Sequence, residues 1–232
     1  MPRTLFYLDT NCLIYARHFD LCKDLDEAYF PQNVRTGQIF TETLDLCERR
    51  EEQLELRTSA VADFEINNLL RMWITKSVFI EHGVPVETLE GRSQDYLANF
   101  HERPQAFKEE YEEKLKEYQE WYRALAHRRL IVIDSVSLRS LDLAGTLPTI
   151  APGIELMDAI HVAIALDIGA NYLVSNDDQL IKHATKIINH AVEHHSLPNG
   201  EIYPRGDEFN EPMRAIKLPA FKDKVSQIPE DD

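Results

Sequence analysis

The stretch MDAIHVAIALDIGANYLVSNDDQL, residues 157–180, carries three structural signals in succession. From Met157 to Ile168 the side chains of Ile160, Ala163, Ile164 and Ala165 point inward from a helix, and Gly169 is placed to serve as its C-cap. Asn171 to Ser175 then reads as a short strand, and Asn176-Asp177-Asp178 opens a second helix through roughly Asn189. Turns this short between helix and strand predict a parallel sheet covered by helices.

The same pattern recurs upstream. Leu5 to Leu8 is a short apolar run closed by Asp9-Thr10-Asn11, after which Cys12 to Ala16 fits a helix. Thr36 to Glu55 has the apolar spacing of an amphipathic helix, Leu56 to Val61 reads as extended, and Ala62 to Trp73 as helical. Leu130-Ile131-Val132-Ile133, bounded by Arg129 and Asp134, predicts a strand buried on both faces. The expectation is an α/β fold, a central parallel β-sheet flanked by helices, in a single domain over residues 1–232.

Two regions depart from that pattern. Residues 74–129 read as a helical insertion: Ile74 to Tyr96 is broken by Gly83, Pro85 and Gly91, and Pro104 to Arg129 is strongly helical. There Tyr111, Leu115, Tyr118, Tyr122 and Leu125 form one stripe, suited to an added helical layer, a hairpin or a dimer face. Residues 191–232, with several Pro and Gly, are expected to form an irregular extension without a clear final strand.

Composition narrows the function classes. With 44% hydrophobic and 28% charged residues and no apolar run of spanning length, the 232-residue chain reads as a soluble globular protein with no membrane partner. Lys and Arg total 25 against 40 Asp and Glu, a formal net charge of -15, so nucleic acid is not held on a broad basic surface. A polyanion must be gripped locally. The three cysteines, Cys12, Cys47 and Cys22, contain no CxxC pair, and the apolar stretch in MPRTLFYLDTN is short for a signal peptide. Both features predict a cytoplasmic protein.

Acids recur where strands give way to helices. Asp9 follows the first strand, Glu65 lies near the start of the helix after the second, Asp158 opens a helix, and Asp177 follows the strand ending at Ser175. Each has an ordinary reading: Asp158 and Asp177 are placed as helix N-caps, and Glu65 as a solvated helix residue. Four acids at equivalent topological positions exceed what capping needs. Gathering carboxylates within roughly 4 to 6 Å costs on the order of 1 kcal/mol per pair in water and a few times that near a protein surface. A hard divalent cation with oxygen ligands, Mg²⁺ or Mn²⁺, compensates that charge, generates hydroxide from bound water and neutralises a phosphodiester.

YLDTNCLIYA (7–16), TSAVADFEI (58–66) and MDAIHVAIALDIGANYLVSNDDQL (157–180) together resemble the PIN domain, the fold of VapC-type toxins and related metal-dependent ribonucleases. The resemblance covers approximately residues 4–70 and 130–190, and its third segment is the most specific. It implies a PIN-like sheet interrupted by the inserted helical segment, and metal-binding, catalytic acids at Asp9, Glu65, Asp158 and Asp177. Asn11 and Ser175 match polar supporting positions that orient the carboxylates. The implied activity is Mg²⁺- or Mn²⁺-dependent endoribonuclease cleavage of single-stranded or exposed RNA by metal-activated water. A toxin role with a protein antitoxin or regulator, and a homodimer, are options that the resemblance adds. Asp63 and Asp178 are reserve candidates; on a helix Asp63 and Glu65 point to nearly opposite sides, and the spacing from Ser59 favours Glu65. The long insertion and the lack of a clear final strand depart from a compact PIN domain.

Other residues receive plainer readings. His161, three residues after Asp158, can face the site, but the preferred reading is a helix-packing histidine without a catalytic role. His190, Glu193, His194 and His195 do not match an HExxH zinc motif. Tyr118, Trp121, Tyr122, Arg123, Arg128 and Arg129 can stack on bases and bind phosphates, but packing is their default. Two rival functions remain: a non-catalytic PIN-like RNA- or protein-binding scaffold, and a phosphatase using Asp9 as nucleophile. The latter normally places a second Asp where this chain has Asn11.

Overall fold

The run Leu5 to Leu8 becomes the centre of the sheet, in β1 (Thr4–Leu8), with parallel partners on both sides. The structure, a computed structural model, describes residues 3–14, 31–89, 105–127, 130–203 and 211–230. After β1, residues 10–14 are helical. There follow α1 (Pro31–Glu48), β2 (Leu54–Ser59), α2 (Ala60–Glu81), α3 (Val86–Leu89), α4 (Gln105–His127) and β3 (Ile131–Asp134). The second half contains α5 (Leu138–Thr146), a 3-10 turn (Leu147–Thr149), α6 (Leu156–Asp167), β4 (Tyr172–Val174), α7 (Asp178–His194), β5 (Arg214–Ile216) and α8 (Leu218–Gln227).

The described strands form a five-stranded, all-parallel sheet in the order β3-β2-β1-β4-β5. Sequence order runs outward from β1 to β3 on one side and from β4 to β5 on the other. The direction switches between β1 and β4, and in sheets of this kind the crevice beyond the strand carboxyl ends at the switch is where ligands settle.

Side-chain alternation along β1 divides the core into two layers. Phe6 and Leu8 enter one, closed by Phe40 of α1, Ile66 of α2, Tyr118 of α4 and Phe221 of α8. Tyr7 enters the other, with Leu143 of α5, Ala163 of α6 and Ile187 of α7. Phe6 stacks on Tyr172 and meets Phe221 edge-on, each at 5.0 Å between ring centroids.

Several boundaries differ from the sequence reading. The first amphipathic helix ends at Glu48, and Leu54 and Glu55 already belong to β2, because pairing of Leu54 with Thr4 draws them into the sheet. β2 accordingly starts and ends two residues early, and α2 begins at Ala60 under a Ser59 cap. α2 also continues past Trp73 to Glu81, since Ile74, Val78 and Phe79 are buried; it stops where Gly83 takes φ +84. Gly91, Tyr96, Pro104, Arg128 and Arg129 lie outside the described residues, as do Tyr15, Ala16 and Cys22.

β3 is an edge strand rather than one buried on both faces. Ile131 reaches the core, but Val132 and Ile133 are 36% and 40% exposed. The aromatic stripe of α4 turns inward as an added layer: Tyr118, Tyr122 and Leu125 are buried in the first core, with Tyr111 and Leu115 packed against it. Residues 191–232 are not simply irregular. α7 runs to His194, β5 joins β4 in parallel register from Tyr172↔Arg214 to Val174↔Ile216, and α8 buries Leu218, Phe221 and Val225. A three-residue strand carries too little periodicity to announce itself. Arg205-Gly206-Asp207 falls outside the described residues.

The helix between the two best-legible strands has the expected form. Gly169, at φ +71, follows the end of α6 and turns the chain directly into β4, a conformation that favours glycine. Gly153, at φ +88, makes the turn expected at Pro152-Gly153. No helix among the described residues is long and apolar enough to cross a membrane. Cys12 and Cys47 are free and buried, and burial raises both thiols, that of Cys47 to about 12.

If α4 is part of the core, Tyr118→Ala costs about 3 kcal/mol or more of unfolding free energy in urea titration. A loss within about 0.5 kcal/mol, the usual range for a surface substitution, contradicts that placement.

Candidate active site

Asp9 is the first residue beyond β1 and is only 3% exposed. Its N–H donates to the Val174 carbonyl at 3.0 Å, joining the carboxyl ends of β1 and β4. Its carboxylate accepts two more bonds: Oδ1 from the Thr10 N–H and Oδ2 from the Ser175 hydroxyl, both at 2.7 Å. Burial raises the pKa of Asp9, and the charge of His161 and the bond from Ser175 only partly offset it.

Asp177 stands two residues beyond Ser175 and is the N-cap of α7. Its Oδ1 accepts from the N–H groups of Gln179 and Leu180, at 2.7 and 3.2 Å. The Asp177 N–H donates to Ser175 Oγ at 2.9 Å, so one hydroxyl ties the two acids together. Asp158 lies in the first turn of α6 but is not its cap; Glu155 holds that position, without a side-chain capping bond. Helix capping therefore does not account for Asp158. Burial, then the charges of Asp9 and Asp177, push its pKa up to about 6. Asp158, distant in sequence from both, thus feels the charges of Asp9 and Asp177 near the carboxyl ends of β1 and β4.

Glu65 closes the other side. Its Oε2 accepts from the Thr10 hydroxyl at 2.5 Å and stands 2.7 Å from His161 Nε2. Burial works to raise Glu65, but the bond and charge of His161, with the Thr10 hydroxyl, outweigh it and hold the carboxyl below its ordinary value. His161 moves the opposite way. Burial alone lowers it, yet Glu65, Asp9 and Asp158 raise it overall.

His161 is the main residue that sequence reasoning underrated. It is 1% exposed, and Nε2 lies 3.7 Å from Asp9 Oδ1 and 3.2 Å from Thr10 Oγ1, while Nδ1 stands 2.7 Å from the Tyr7 hydroxyl. Its spacing from Asp158 was what allowed it to face the site, because residues three apart on a helix share a face. Thr10, Tyr7 and Ser59 were also missed as parts of this network. Ser175 occupies the expected supporting place beside Asp9. Asn11, half-buried in the helical turn, makes no hydrogen bond to the four acids among the described residues.

The reserve acids face elsewhere. Asp63 lines a separate cavity of about 290 Å³ with Tyr118, Tyr122 and Arg123, and Asp178 pairs with Lys217. The His190 and His194 rings lie tilted to each other with centroids 4.2 Å apart, and Glu193 and His195 are exposed. Among the described residues, no three or more His, Cys, Asp and Glu side chains are gathered closely enough to form a metal cluster as they stand. No protein-family model matches the chain, and no curated protein or solved structure is significantly similar to it.

Carboxylate oxygens are the donor type that a hard divalent cation takes, and the strand ends carry them without a ready-formed cluster among the described residues. Asp9, Asp158 and Asp177 offer carboxylate oxygens, one of them firmly oriented, and their mutual repulsion at Asp158 is a charge that a cation relieves. The burial of Asp158, added to the charges of Asp9 and Asp177, has a measurable consequence. The folded chain holds the Asp158 proton more tightly than the unfolded one, so stability falls as pH rises from 3.8 to about 6 and stays lower above it. Asp158→Asn removes this cost. In metal-free protein at pH 7.5 the variant should be more stable by about 1 kcal/mol, the full shift being discounted for partial exposure. The difference should vanish near pH 4. Thermal unfolding across pH in EDTA tests this, and a variant that is less stable at pH 7.5 contradicts it.

Proposed function

We propose that the chain is a Mg²⁺- or Mn²⁺-dependent endoribonuclease of PIN type, hydrolysing phosphodiester bonds in single-stranded or exposed RNA. The observation that carries this reading is that Asp9, at the end of β1, and Asp177, at the start of α7, are tied through the one Ser175 hydroxyl, with Asp158 of α6 close enough to feel the charge of both. The sequence likeness of the segments around Asp9, Glu65 and Asp158 to that family supports it. So does the all-parallel sheet, an arrangement compatible with a PIN-like fold without being peculiar to it.

Asp9, Asp158 and Asp177, with Glu65 across from them, are the residues that would hold the ion. When bound, it supplies Lewis-acid stabilisation of phosphate and activation of water. The chain's own groups bind and orient. Ser175 and the Thr10 N–H fix both oxygens of Asp9, and the α7 cap fixes Asp177. No side-chain nucleophile is needed. With a formal net charge of -15, the chain depends on local charge reversal for RNA to approach at all. A cognate protein antitoxin and a homodimer belong to the same proposal.

The alternative is a non-catalytic scaffold that binds RNA or protein, with the acids serving structural ends. Asp177, spent on capping α7, fits it; Asp158, which caps nothing, and Asp9, buried at a strand end, do not.

A fluorogenic single-stranded RNA should be cleaved with Mn²⁺ and left intact in EDTA. Asp9→Asn and Asp158→Asn should each lower the rate by about 100-fold or more, and Ser175→Ala by about 10-fold. Cleavage unchanged in both acid variants excludes this site, whereas RNA binding without cleavage by the native chain supports the scaffold.

A further inference from the structure

Apart from the acidic notch, the layer made by α2, α4 and the edge strand β3 holds a cavity of about 290 Å³. Its floor is buried and part of its lining reaches solvent. Ile66 of α2 and Tyr118 and Tyr122 of α4 are at most 8% exposed, whereas Arg123 and Ile133 are exposed. The volume lies at the small end of the roughly 300–1,000 Å³ usual for ligand pockets, enough for one ring system rather than an extended molecule.

The polar groups of the lining are unlike those of a packing gap. The Tyr122 hydroxyl is buried and has no hydrogen-bond partner among the described residues, a state that polar groups in native proteins seldom keep. Burial first, and then the charge of Asp63, raise the pKa of that hydroxyl, so the carboxylate stands near it. A carboxylate has about four lone-pair sites, so a bond it already makes leaves others available. Gln119 and Arg123, four residues apart on α4, add an amide and a cation.

Aromatic faces, an acceptor, an unmet hydroxyl and a cation at an open lip are the elements that hold a splayed base and its phosphate. Guanine matches them best. Its N1 and N2 N–H groups lie side by side for one carboxylate, with the O6 acceptor next to them for a hydroxyl. The cavity also lies at the same end of the sheet as the notch. Asp63 and Glu65 are two residues apart at the start of α2, and the Tyr118 hydroxyl donates at 3.5 Å to the Leu13 carbonyl, in the helical turn after Asp9.

We propose that this cavity is a guanine subsite, filled by a base of the RNA strand at the notch, with Asp63 accepting from N1 and N2, Tyr122 donating to O6 and Arg123 holding the adjoining phosphate. This rests on the ribonuclease reading above and deepens it by naming a base preference.

Ligand-observed NMR titration of the full metal-free chain with GMP, AMP, CMP and UMP tests the subsite without cleavage. GMP should bind at least about tenfold more tightly than the other three. Asp63→Asn and Tyr122→Phe, both conservative in shape, should each weaken GMP at least fivefold, while Asp158→Asn should leave it within twofold. In a second arm with Mn²⁺, an RNA carrying one guanosine should be cut at least tenfold faster than the same strand with adenosine there, and Tyr122→Phe should abolish that ratio. No GMP binding, equal affinity for the four nucleotides, or GMP binding unchanged in Tyr122→Phe overturns the subsite, and RNA cleavage without guanosine dependence then leaves the ribonuclease reading standing. GMP binding with the expected variant losses but no RNA cleavage overturns the ribonuclease reading and, with it, RNA as the source of the base.

Discussion

A carboxylate buried at the end of the central strand is the feature on which the site depends. Placing Asp9 out of water is unfavourable unless its oxygens are met, and they are met from both directions along the chain. Thr10 supplies its backbone N–H and Ser175 its hydroxyl, so the Asp9 carboxylate can be held only while β1 and β4 lie side by side. The same Ser175 oxygen accepts the Asp177 N–H, which sets where α7 begins. Topology and chemistry are thus joined at one hydroxyl.

Charge is distributed unevenly around that point. On the α2 side, Glu65 is matched by His161, and the two partners shift in opposite directions, as a hydrogen-bonded ion pair should. On the α6 and α7 side, Asp158 bears the repulsion of its neighbours. A chain with this excess of acid has no general attraction for a polyanion, so the ability to reverse the local field at one notch is what would make RNA a reasonable substrate.

Much of this was legible in the sequence, for identifiable reasons. Residues 157–180 combine a strong helical pattern, a positive-φ glycine and a strand with an Asp cap, each signal agreeing with the others. The sheet edges were less legible. Ile131 to Ile133 has the composition of a central strand, and only the strand order reveals it as an edge; β5 is too short to carry a period. The four acids could be named because each follows a strand or opens a helix. Helical geometry meant that Asp63 and Glu65 could not face the same point, and the spacing from Ser59 favoured Glu65; in the structure Glu65 shares His161 with Asp9, and Asp63 lies beside Tyr122. His161 is buried, as a packing histidine would be, and also bonds Glu65 and Tyr7; burial in an apolar helix looks the same in sequence whether or not the ring makes such bonds. Its partners Tyr7, Thr10 and Glu65 come from β1, the turn after it and α2, and no local pattern connects them.

The central claim is that Asp9, Asp158 and Asp177 form one notch that a divalent cation completes. Crystals grown with Mn²⁺ and measured at its absorption edge test this most directly. The account predicts an anomalous peak within coordination distance of oxygens from all three carboxylates. Well-ordered crystals with no peak there, or with a peak bound to only one of them, would contradict it.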